Sequence, residues 1–228
     1  MTRTPTDEGR GAKWRNTIES YGRVSILFHW LIAAAFISTY VVVYYVIWFV
    51  DPDTSIKPAL FGTVPDVNRV VPILNIHWIL GIAIGTLAVL RLSWRLLGPA
   101  PRHVSGSRLE HIAADVAHWT LYALMIFMPV SGYTTTHDPT NFGLFAIPAF
   151  GDTALAGWIG TAFSLSTKDI QDLAWAVHSF LGQWVAWPLI VLHAAAALAH
   201  HFVRRDAVLH RMLPWVADRS VPHELSNN

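Results

Sequence analysis

Residues 173–203 read LAWAVHSFLGQWVAWPLIVLHAAAALAHHFV, an apolar run long enough to cross a bilayer that carries His178 and His193 within it. An imidazole is costly to place in hydrocarbon, so the expectation is that each ring turns inward and serves a function there. The two positions are fifteen residues apart, which in a regular helix is roughly 22 Å of rise and leaves roughly 60° of residual rotation. A spacing of fourteen would leave about 40° of the opposite sign. Pro188, five residues before His193, lacks the N–H that would bond one turn back. A kink or a one-residue π-bulge is therefore expected here, and a bulge would bring the pair closer to one face. Two imidazoles at two depths suit two metal-centred cofactors, each needing a second axial ligand from another helix.

The composition agrees with a membrane setting. The chain has 228 residues, of which 53% are hydrophobic and only 14% charged, with 11 Trp; that is too apolar for an ordinary soluble domain of this size. Cysteine is absent, which excludes disulfides, thiolate-held iron–sulfur clusters, covalent c-type haem attachment and cysteine nucleophiles in this polypeptide. The 12 histidines are left as the chief metal ligands. The opening residues lack an apolar secretory core, so the chain is expected to begin in the cytoplasm.

Three further spans precede the fourth: Val24–Val50 with His29 near its start, Val70–Leu97 with His77 near its start and Arg91 and Arg95 near its end, and Leu109–Tyr133 with His111 and His118 in its first third. Residues 1–23 form a basic N-terminal arm, residues 24–203 the four-span domain and residues 204–228 a C-terminal tail. Lys and Arg concentrate in the arm, in the connection 98–108 and after the fourth span, and are sparse in the other two connections. The positive-inside rule then puts both termini in the cytoplasm. The fold expected is an all-α, integral-membrane four-helix bundle. The apolar part of connection 134–172 is expected to lie along the outer surface.

With that topology His29 and His193 fall in the cytoplasmic half, and His77 and His178 in the outer half. Each pair is placed to clamp one haem iron from both sides, leaving no open position for a substrate, which suits electron transfer. His111 and His118 are rivals in number, but span three has no outer-half histidine to complete a second pair, so they are read as interfacial residues or as supports behind the ligands. His200, His201 and Arg91 are candidates for a quinone pocket at the inner interface, Arg91 also for an anionic substrate or the inner haem carboxylates.

The stretches YGRVSILFHWLI, NIHWILGIAIGTLAVLRLSWRL, HWTLYALMIFMPVSGY and LHAAAALAHHFVRRDAVLHRMLP resemble the bacterial cytochrome b561 family, most closely its superoxide oxidase branch, with which the chain shares the sequence Ala199–His200–His201. The resemblance runs from Tyr21 to Pro214. It implies a four-helix bundle in the bacterial inner membrane with two b-type haems, ligated by His29 with His193 and by His77 with His178. It also implies oxidation of superoxide at the outer side, with electrons passing through both haems to ubiquinone. The chain departs from that branch in its spacing of fifteen, where the branch has fourteen, and in its somewhat longer outer loops. The alternative within redox chemistry is a cytochrome subunit relaying electrons from a hydrogenase or dehydrogenase partner to quinone. Outside it stands a transporter or scaffold whose histidines bind other metals or protons. Membrane lipid is the expected surrounding, and a nucleic-acid partner is not expected.

Overall fold

The computed structural model describes residues 14–53, 65–102, 104 and 106–213. Among the described residues four helices are long and apolar enough to cross a membrane: Arg23–Val50, Val67–Leu96, Arg108–Thr134 and Thr167–Arg204. They are built from α1 (Arg23–Tyr45), α2 (Val70–Leu96), α3 (Arg108–Thr134) and, in the fourth span, α5 (Thr167–Phe180) and α6 (Trp187–Ala199) joined by a π-helical stretch, Leu181–Ala186. The chain is a multi-pass membrane protein, and its lipid-facing sides are paved with exposed Ile37, Val41, Val116, Val130, Val191 and Leu192.

The fourth span begins at Thr167, six residues before the start expected from hydropathy, because polarity does not forbid a helix that is properly capped. The Ser166 side chain accepts from the Asp169 N–H while Asp169 accepts from the Ser166 N–H, a capping box that satisfies the first orphan donors. Ser107 and Glu110 do the same at the start of α3.

Between α3 and α5 the chain makes a two-stranded hairpin, β1 (Thr140–Asn141) and β2 (Ala146–Ile147), then a short 3-10 turn and α4 (Ala154–Phe163). Gly143, at φ 85°, supplies the left-handed residue the hairpin turn requires. Asn75 of α2 ties the hairpin to the bundle, giving its amide to the Asn141 carbonyl at 2.8 Å and accepting the Asn141 N–H at 2.7 Å. α4 leaves Leu155, Trp158 and Phe163 exposed, as expected of an apolar helix lying along a membrane surface.

The buried core is made by the first three spans: Ile32 of α1, Ile84 and Ala88 of α2, and Tyr122 and Met125 of α3. α6 has no fully buried residue. The opposite end from the hairpin gathers both described termini. There the Trp30 indole donates to the Met212 carbonyl at 2.7 Å, the Arg102 N–H to the Ile18 carbonyl at 2.9 Å, and Arg211 to the Arg102 carbonyl at 2.9 Å. Residues 14–22 of the basic arm are folded onto this end, held by buried Asn16, whose oxygen accepts from the Gly22 N–H at 2.9 Å and the Ser25 hydroxyl at 2.7 Å. Residues 1–13 of the arm and 214–228 of the tail lie outside the described residues.

Asn16→Ala orphans both donors. It should lower stability by about 1–3 kcal/mol in detergent thermal unfolding, whereas Thr161→Ala, which removes only a bond back to its own helix at Gly157, should stay within about 0.5 kcal/mol.

Candidate functional site

Four imidazoles meet in two pairs across the bundle. His29 of α1 and His193 of α6 have ring centroids 6.1 Å apart, and His77 of α2 and His178 of α5 have centroids 6.2 Å apart. The π-helical stretch lies between His178 and His193. A π turn takes up one residue more than an α turn, so the fifteen-residue interval covers the angular ground of fourteen. Pro188 has no N–H for the Trp184 carbonyl, which removes one α-type bond at this point. The Gly182 carbonyl in the widened turn accepts the Tyr40 hydroxyl at 2.8 Å, tying the stretch to α1.

The pair at the hairpin end is held from behind. The His178 Nδ1 lies 3.1 Å from the Met128 carbonyl and 3.2 Å from the Ser131 hydroxyl, and the His77 Nδ1 lies 3.5 Å from the Thr39 carbonyl. An Nδ1–H engaged by a carbonyl leaves Nε2 as the nitrogen with a free lone pair. Gly132 is required by this packing. A Cβ there would stand 2.8 Å from His178 Cε1, closer than two carbons tolerate.

The pair at the terminus-bearing end has a cation beside it. An Arg91 guanidinium nitrogen sits 3.3 Å from His29 Nδ1, and the group lies 5.6 Å from the Tyr122 ring centroid. Among the described residues no carboxylate is paired with Arg91. A guanidinium this deep in an apolar bundle calls for an anion. His118 of α3 also reaches this end, its ring centroid 5.5 Å from that of His193.

His200 and His201 lie on a π-helical turn at the end of the fourth span, His200–Arg204. His200 Nδ1 is 2.6 Å from Asp206, and His201 packs edge-on against His210 at 4.9 Å. Both sit about 10 Å of helical rise beyond His193, towards the termini. His111 lies beside Gly106, close to the Glu110–Arg204 ion pair. At the hairpin end, His137 lines a polar hollow of ≈ 330 Å³ with Thr136, Asp152, Thr167 and Gln171.

These residues fit haem. Two metal–imidazole bonds of about 2.0 Å, with about 1.2 Å from each nitrogen to its ring centre, separate two axial rings by about 6.4 Å, close to both observed spacings. Arg91 can only donate, so the contact as it stands makes His29 Nδ1 the acceptor and leaves the proton on Nε2; haem ligation through Nε2 would need Arg91 to turn from Nδ1, and its charge suits a haem carboxylate. At Gly81, one turn from His77, an added Cβ would meet nothing within 4 Å, and the buried Thr39 hydroxyl has no partner among the described residues. Gly132, Ser131 and Thr39 escaped the sequence reading because nothing in their spacing says which histidine they face. The PVSGY motif was the one available signal.

The chain matches the prokaryotic cytochrome b561 family over residues 20–215. It is 31% identical over 204 residues to cytochrome b561 homolog 2 of Escherichia coli (strain K12), covering 87% of this chain and 93% of that protein. It is 33% identical over 141 residues to a Yersinia pestis protein named probable superoxide oxidase CybB, covering 61% of this chain and 73% of the relative.

Gly132→Ala should displace the His178 ring and weaken the haem signal in reduced-minus-oxidised spectra. Gly157→Ala, whose Cβ meets nothing within 4 Å, should leave the spectrum unchanged.

Proposed function

The chain belongs to the prokaryotic cytochrome b561 family, whose members are membrane b-type cytochromes, and from that premise we propose that it is a di-haem electron carrier linking superoxide to ubiquinone. The observation that carries this reading is the pair of imidazole couples, 6.1 Å and 6.2 Å between centroids, facing each other inside one apolar bundle. His29 with His193 would hold the inner haem and His77 with His178 the outer one, with both termini cytoplasmic and the protein in the bacterial inner membrane. The family's haem b, when bound, supplies one-electron redox chemistry at iron.

The protein's own contribution is positional. Met128, Ser131 and Thr39 fix the outer rings. Arg91 meets the inner haem's carboxylate charge, and the apolar spans keep water from the path. Two superoxide ions give up one electron each and leave as dioxygen; one quinone takes the two electrons with two protons and leaves as quinol. His200, with Nδ1 engaged by Asp206, has Nε2 left to pass a proton to a quinone oxygen, with His201 as a further candidate for that pocket; Arg91 lies instead beside His29. Superoxide as donor is supported by the similarity to the Yersinia pestis relative.

One feature favours the second reading, a relay from a hydrogenase or dehydrogenase partner. At the hairpin end, Asp51, Asp53, Asp66, Asp138, Asp152, Asp169 and Asp172 face only Arg69 and Lys168 among the described residues, and Lys168 is paired with Asp172. A negative surface slows an approaching anion and attracts a cationic donor.

Stopped-flow mixing of purified protein with superoxide, with and without ubiquinone, tests the two together. Haem reduction by superoxide, followed by quinone-dependent reoxidation, is expected. Its rate should rise by roughly 2- to 10-fold from about 0.01 M to 0.15 M salt as screening relieves the repulsion. Haem that stays oxidised under superoxide would leave the partner-linked reading. His200→Ala should slow quinone reoxidation while leaving reduction by superoxide intact; unchanged quinone turnover would remove His200 from the proton path.

A further inference from the structure

Three imidazoles, not two, gather at the terminus-bearing end of the bundle. The ring of His118 stands edge-on to that of His193, with centroids 5.5 Å apart at an interplanar angle of 72°. His118 is half-buried within the third span, and among the described residues its ring nitrogens make no hydrogen bond. It continues the inward stripe of α3, one turn before buried Tyr122 and two before buried Met125. Arg91 and Arg95 lie over the same Tyr122 ring, at 5.6 Å and 5.8 Å. An imidazole and two guanidinium groups thus converge beside the His29–His193 couple.

Were His29 and His193 to hold the inner haem, His118 would be left to meet the polar groups of that haem rather than its iron. The polar atoms that haem b offers are its two carboxylates. A ring N–H without a partner inside an apolar span is costly unless binding supplies an acceptor. We propose that His118 is a third, non-ligating imidazole of the inner haem site, donating a hydrogen bond to a haem carboxylate alongside Arg91. The inference rests on the two-haem reading above. His118 is a positioning residue: it makes no bond to iron, and by partly neutralising a carboxylate it disfavours the oxidised, more positive iron.

The test uses the full chain purified with its haem, in wild-type form and as His118→Phe, His118→Asn and His29→Ala. The readouts are haem-to-protein ratio, low-temperature electron paramagnetic resonance and a spectroscopic redox titration. The signal lost in His29→Ala identifies the inner haem. His118→Phe is expected to keep two low-spin haems and shift only the inner midpoint potential, downwards, while the outer one stays in place. His118→Asn, which retains an N–H donor, should recover much of the shift. Two unchanged potentials in His118→Phe would overturn the proposal, as would loss of one haem or a high-spin signal, which would make His118 a ligand. Fewer than two haems in the wild-type protein would overturn the di-haem reading itself, and this inference with it.

Discussion

The structure depends on keeping two imidazoles of one helix aimed at partners on two others. His178 and His193 share the fourth span, while His77 and His29 belong to α2 and α1. In a regular helix an interval of fifteen residues would leave the two roughly 60° apart in azimuth, against about 40° of opposite sign for fourteen, a looser alignment of the two rings. The π-helical stretch Leu181–Ala186 takes up the extra residue, and three neighbours bear on it: Pro188 withholds an N–H, the Tyr40 hydroxyl donates to the Gly182 carbonyl, and the Met128 side chain packs close to Gly182. A local departure from α geometry thus restores a long-range alignment.

The same demand explains the unequal packing. The first three spans make an ordinary core of Ile32, Ile84, Ala88, Tyr122 and Met125, in which Ala88 is fully buried and allows close helix approach. α6 contributes no fully buried residue to it. The fourth span adds buried Ala186 and a Tyr40–Trp187 ring contact, and it also meets the others through polar groups: His178 against the Met128 carbonyl and Ser131, and the imidazole couple of His29 and His193. Hydrocarbon gives helices little reason to associate by apolar area alone, so such polar contacts carry proportionally more of the specificity.

The two ends of the bundle differ in charge and in build. The terminus-bearing end is basic and braced by the folded-back residues 14–22, the 98–102 connection and the last described residues, joined by one backbone bond and by the Trp30 and Arg211 side chains bonding to carbonyls. The hairpin end is acidic and carries the small cap of β1, β2 and α4, attached to α2 through Asn75. An electron carrier that must accept at one face and donate at the other has a use for such polarity, since each surface selects its own charge of partner.

Much of this was legible in the chain itself. Hydropathy marks four spans because each must bury its own backbone polar groups in about 30 Å of hydrocarbon. Two of the histidines sit where alternating helix direction gives them matching depths with the other two, so the pairing follows from length and order alone. The extra residue before His193 and the proline beside it pointed to a π-bulge for the same local reason. What only the tertiary structure decided is rotation: which way Arg91 and His118 turn, that Gly132 makes room for His178, and that Thr39 and Met128 back the His77 and His178 rings. In spans apolar on nearly every side the hydrophobic pattern does not distinguish the face that meets lipid from the face that meets another helix, and the azimuth of each helix is set by packing that no single segment contains.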